Sequence, residues 1–155
     1  MAGIASTIQS LLKARLEGTG TFFDTNNIVV MTQNEPDTPS KVESMLDGIT
    51  SGTDTGNGIC VVVGMPSIQR DIPGRVSFST IIEVIENTNL NRTSSGSGKY
   101  AEEVSEQVWS LLELWQSATE TLTPFQPISL NQVWSFQGSE IWEIEVRTTS
   151  GIKFS

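Results

Sequence analysis

The stretch "VSFSTIIEVIE", beginning at Val76, alternates with period two. Val76, Phe78, Thr80, Ile82 and Val84 fall on one side, and Ser77, Ser79 and Glu83 fall on the other with Ile81 and Ile85. Successive side chains of an extended strand point to opposite faces, so this pattern predicts a β-strand, the longest in the chain. It runs out in "ENTNLNRTSSGSG", a polar connection.

The other candidate strands are shorter or come in pairs. Ile28 to Met31 is short and β-branched, and the wholly apolar "ICVVV", Ile59 to Val63, reads as a strand covered on both faces. "MPSIQRDIPGR" holds Pro66 and Pro73 and is excluded as a central strand. Near the C-terminus two alternating runs flank "QGS", a tight turn. Ile128, Leu130, Trp134 and Phe136 share a face in the first, and Trp142, Ile144 and Val146 in the second, which predicts a hairpin with an aromatic inner face. Two long helices are expected. Ile4, Ile8, Leu11, Leu12 and Leu16 recur at helical spacing before Gly18, and Tyr100, Val104, Val108, Leu111, Leu112 and Trp115 form a second stripe. Glu102 and Glu103 in the first turn of the latter complement its dipole. In "SKVESMLDG", Ser40 reads as N-cap, Glu43 as its capping-box partner and Gly48 as terminator of a short helix.

These elements predict an α+β fold: a single four- or five-stranded, mostly antiparallel sheet, two long helices packed on one face and one short helix. All 155 residues form one domain, 1–155, with long polar loop insertions at 33–58 and 87–98. A chain of this size removes about 70% of its unfolded surface from water. The polar insertions hold too little apolar content to order themselves and are expected to order on assembly.

Composition narrows the chemistry. The chain has no histidine, which removes Ser-His and Cys-His nucleophiles and the commonest metal ligand together. Cys60 has no partner cysteine and reads as a small buried hydrophobe. "SSGSGKYAEE", Ser94 to Glu103, sits between a strand and a helix as a phosphate loop does, yet it misses the G-x-x-x-x-G-K-[ST] spacing: Thr93 stands where the first glycine belongs, and Tyr100 follows Lys99. The acids and glycines of "DGITSGTD" and "DTGNG" lack calcium-loop spacing. Neither an enzyme nor a cofactor is expected. A formal charge of −9 argues against gripping DNA through its phosphates. The N-terminus lacks the pattern of a secretory signal and no segment approaches the about 20 apolar residues of a membrane span, so a soluble chain folded from its first residues is expected, with no membrane partner.

The strand, Asn- and Gly-rich loop and helix in "VSFSTIIEVIENTNLNRTSSGSGKYAEEVSEQVWSLLELW", the hairpin "ISLNQVWSFQGSEIWEIEVRTT" and the N-terminal "IASTIQSLLKARL" together resemble the tail-terminator (tail-completion) proteins of long-tailed bacteriophages. The resemblance rests on element order and covers most of the chain. It implies a structural virion protein, assembled in the host cytoplasm as a homo-oligomeric ring, normally a hexamer. That ring sits at the head-proximal end of the tail tube, ends tube polymerisation and joins tail to head. Tail-tube protein and a head-completion or connector protein are the implied partners, and DNA passes through without specific binding. The alternative is another ring of the same neck, a head-completion or connector protein; a ligand-binding module or enzyme is the remaining class.

Candidate contact residues follow. Arg70, Arg75, Arg92 and Lys99 place four of nine cations in connections and are candidates to meet an acidic neighbour. Trp109 lies off the helical stripe and is a candidate partner contact, whereas Trp115, Trp134 and Trp142 are expected in the core. Residues 100–146 hold eight acids and no Lys or Arg. Glu143 and Glu145, alternating with Trp142, Ile144 and Val146, are on the far face of their strand and are the candidate lining of a DNA channel whose acidic wall repels phosphate.

Overall fold

The structure, a computed structural model, describes residues 3–50, 52–119 and 121–151. Ser51 of the polar loop and Glu120 among the acids lie outside the described residues. In chain order the elements are α1 (Ile4–Glu17), α2 (Phe22–Thr25), β1 (Val29–Thr32), α3 (Thr38–Leu46), β2 (Ile59–Val63), β3 (Ser67–Ile72), β4 (Arg75–Asn87), α4 (Thr88–Asn91), α5 (Ala101–Leu112), β5 (Gln126–Phe136) and β6 (Ser139–Gly151).

The sheet has six strands rather than four or five. Five run in the order β1-β2-β4-β6-β5, with β1 and β2 parallel and every other pair antiparallel. The extra strand is β3, the segment between the two prolines. It pairs with β4 over Ser67–Ile72, on the edge that β2 occupies further along, where β2 covers Ile82 to Glu86. Pro66 and Pro73 bar a central strand but leave an edge strand open between them.

The long strand is β4, paired with β6 from Arg75 to Asn87, and its burial alternates as the sequence predicts. Its apolar face, with Val61 and Val63 of β2 and Ile144 and Val146 of β6, meets Ile8, Leu12 and Leu16 of α1 and Val104, Val108 and Leu112 of α5 in one core. Each fully buried Leu, Ile or Val contributes roughly 1.5–3 kcal/mol by leaving water. α5 stops at Leu112 because Leu114 adopts a left-handed φ of 56° and donates its N–H to the Phe125 carbonyl. Trp115 therefore lies beyond the helix and stacks on Phe125 with centroids 5.2 Å apart.

α3 departs from expectation at its start. It starts at Thr38, with Pro39 in its first turn, where a missing N–H is harmless, so Ser40 is inside the helix and not its cap. It also packs on the opposite face of the sheet from α1 and α5: Met45, Val42 and Leu46 cover Met31, Cys60, Val29 and Ile85, the other phase of β1, β2 and β4. Gly48, at φ +76°, ends it as predicted.

The 87–98 segment is organised by polar contacts. Asn91, fully buried, donates to Glu86 and to the Lys99 carbonyl, and its Oδ1 accepts from the backbone and hydroxyl of Ser97. The amides of Gly96, Gly98 and Lys99 bond to the Thr93 carbonyl, the Asn91 carbonyl and Ser97 Oγ. The loop's N–H groups thus close on the loop itself. A Cβ on Gly96 would sit 2.0 Å from the Asn91 carbonyl oxygen, so only glycine permits this wrap.

Candidate interaction surface

Directly opposed residues of an antiparallel pair share a face, so the register defines what the sheet presents away from α1 and α5. One row across β2, β4, β6 and β5 reads Val62, Glu83, Glu143, Asn131; the next reads Ile81, Glu145, Ser129 across β4, β6 and β5. A third runs from Cys60 through Ile85 and Ile141 to Trp134. α3 covers the Cys60 end of that row, and its Trp134 end is open.

This face is acidic at its centre. Glu83 and Glu143 stand opposite each other, and burial with the neighbouring Glu143 charge pushes the Glu83 carboxyl above its usual range. Glu145 lies 3.2 Å from Arg147, which stands opposite Ser79 at the margin. Glu143 and Glu145 therefore share the face opposite α1 and α5, as their alternation implies. Glu83 joins them from another strand, a pairing that no local pattern encodes. Cys60 lies beneath α3, where burial, with a smaller contribution from Glu83, raises its thiol to about 12. Among the described residues no group of three or more Asp, Glu, Cys or His side chains is placed to hold a metal ion.

The hairpin corrects the expected aromatic inner face. A bulge between Gln132 and Trp134 shifts the register, so Leu130 opposes Ile144 on the helix side while Trp134 opposes Ile141 and Phe136 opposes Ser139 on the other. Trp134 is 52% and Phe136 60% exposed, in edge-to-face contact at 6.1 Å. Of the remaining tryptophans, Trp115 and Trp142 are partly buried against the main core as expected, and so is Trp109, the candidate partner contact.

The four candidate cations separate. Arg92 is bound within the subunit: Nε and Nη2 each lie 3.1 Å from the buried Glu86 carboxylate, Nη2 also meets Glu140, and the guanidinium lies 4.1 Å over the Tyr100 ring. The bond to Glu86 raises its pKa further. Its charge has partners at home, which removes the reason for assigning it to a neighbour. Lys99 lies 3.8 Å from Glu103, one turn along. Arg70 and Arg75 are exposed on β3 and at the start of β4. A polar hollow of about 330 Å³ lies beside β1, between Lys13 and Glu17 of α1 and Lys41 and Asp54, the last two 2.6 Å apart. Its lysines already face carboxylates.

Among the described residues no helix is long and apolar enough to cross a membrane. No family model and no curated protein matches the chain. Among solved structures, a chain from the virion of a native gene transfer agent particle superposes with a TM-score of 0.63 at 11% identity, covering 97% of this chain and 99% of that one. A second solved structure superposes with a TM-score of 0.52 at 15% identity, covering 98% and 96% of the two chains. The chain shares its fold, end to end, with a component of a virion.

Proposed function

We propose that this chain is a structural virion protein. In this reading it forms a ring, with six subunits, at the head-proximal end of a tail tube, ends tube growth there and joins tail to head. It performs no catalysis. The observation that carries the reading is the superposition with the gene transfer agent virion chain over 97% of this chain and 99% of that one. The tail-terminator-like order of the long strand, wrapped loop, helix and hairpin supports the finer role. Its contacts are then tail-tube protein on one side and a head-completion or connector protein on the other, with Arg70 and Arg75, both exposed, as candidate contacts at subunit or ring boundaries. Glu143 and Glu145, joined by Glu83, face the lumen. An acidic wall repels the phosphates of passing DNA, whereas a basic one would bind them by releasing counterions.

Immunogold electron microscopy of particles carrying an epitope-tagged copy tests the assignment. The expected label is a single position where tail meets head, and label over the capsid or along the tail shaft refutes it. Binding of the purified chain to tail-tube protein supports termination. Binding to portal-side proteins alone makes it another neck ring.

A further inference from the structure

β5 is the last strand of the sheet, and its outer edge has no strand beside it among the described residues. Soluble proteins guard such edges with charges, a central proline or bulges, and β5 has register shifts between Pro127 and Ser129 and between Gln132 and Trp134. Between Gln126 and Phe136 there is no charged residue, and the only proline is Pro127, near the start. The strand instead exposes Ile128, Val133, Trp134 and Phe136. At the far side of the same sheet, β3 pairs among the described residues with β4 alone, and Ile68 on it is 58% exposed, with Met65 at the preceding corner also exposed. One molecule thus carries an uncharged apolar edge on β5 and, on the opposite side of the sheet, an open β3 edge where the exposed Ile68 shares its strand with Arg70 and Asp71.

We propose that the β5 edge pairs with the β3 edge of a second copy of this chain, head to tail, as the contact that repeats around the ring; this rests on the ring reading above. A single interface then covers both edges, whereas β5 against β5 would leave Ile68 and Met65 in water. Strand direction agrees. β5 opposes β6, β6 opposes β4 and β4 opposes β3, so β5 and β3 run antiparallel, and copies related by rotation about one axis preserve that sense. Ile68, opposite Phe78, lies on the helix side of its strand, the side of Leu130 on β5. Trp134 and Phe136 lie on the side opposite α1 and α5, with Ser67 and Gln69 of the incoming strand. The joined sheets form one continuous wall whose face opposite α1 and α5 carries Glu83, Glu143 and Glu145.

The test uses the full chain with Trp134→Lys and Ile68→Lys, both at exposed positions, with melting temperatures confirming an intact fold. Native mass spectrometry of the wild type should show closed rings, and each variant alone should be monomeric. Mixed one to one, they should give heterodimers and nothing larger, because each retains the one edge that the other lacks. A mixture that remains monomeric, or a wild type that stops at dimers, overturns the contact. Rings that persist in both variants overturn it and leave the ring reading standing. A wild type monomeric at its highest soluble concentration overturns the contact and the ring together.

Discussion

Replacing Glu86 by Ala should be among the most destabilising single changes in the protein. The carboxylate is fully buried and accepts from Asn91 Nδ2 at 2.7 Å, Arg92 Nε and Nη2 at 3.1 Å each, and the Ala101 backbone N–H at 3.0 Å. It thereby ties the end of β4 to the 87–98 loop and to the first turn of α5, where the helix dipole also favours negative charge. Removing one partner of a buried ion pair costs about 3–5 kcal/mol. Arg92 moderates this, since its side chain is 36% exposed and keeps Glu140 and Tyr100. The Ala101 N–H and the Asn91 N–H that faces Glu86 do not, both residues being wholly buried, although the Asn91 amide keeps the Lys99 carbonyl; a buried donor left without a partner costs about 1–3 kcal/mol. Two such donors bring about 2–6 kcal/mol, which brackets the ion-pair figure, and a loss of about 3–5 kcal/mol lowers the melting temperature of a domain of this size by about 6–20 °C. Urea unfolding gives the free energy directly, and hydrogen exchange at Ser97 to Val104 should accelerate most. Replacing Glu86 and Arg92 together by Met should be milder than Glu86→Ala, because no unpaired charge remains. A loss below about 1 kcal/mol for Glu86→Ala would refute the argument that this carboxylate organises the loop.

Three further outcomes follow from the same geometry. Glu83→Gln should stabilise the protein at neutral pH by a few tenths to about 1 kcal/mol, since it removes a like charge opposite Glu143. The folded Glu83 carboxyl holds its proton more tightly than the unfolded one, so its effect on stability worsens as pH rises from about 4.5 through the raised folded value. The advantage of Gln should accordingly disappear in denaturant titrations below that window. Cys60, buried with its thiol raised to about 12, should react with a disulfide reagent at about pH 8 only at the rate of unfolding; rapid labelling of the native protein would place it at the surface. Gly58→Ala should cost at least about 1–3 kcal/mol in urea unfolding, because Gly58 has φ +87° and a Cβ there would stand 2.7 Å from the Asn91 nitrogen.

What the sequence determined by itself was the set of faces. Period-two alternation in β4 and helical stripes in α1 and α5 record which side of each element leaves water, and that record is local, because a side chain's direction follows from its own backbone. The buried phase of β4 and the placement of Glu143 and Glu145 away from the core were legible for that reason. The absence of histidine bounded the chemistry just as directly.

Relations between distant segments were decided only in three dimensions. The bulge at Gln132 and Trp134 is set by pairing with β6, and that one-residue shift moved Trp134 and Phe136 from the expected core to the surface. β3 exists because β4 extends past the end of β2 and offers an edge there. α3 has an ordinary amphipathic pattern that cannot say which face of the sheet it covers, and the bare phase of β1 and β2 settled it. The loop after β4 looked too polar to order itself, since apolar content was the measure; its order comes from the Glu86 carboxylate and the Asn91 amide, whose partners lie on α5 and within the loop. Glu83 faces Glu143 across 60 residues of chain, so the acidic face is a product of strand register. Burial is written residue by residue in the sequence, whereas pairing depends on which distant backbone closes a hydrogen bond, and only the folded chain makes that choice.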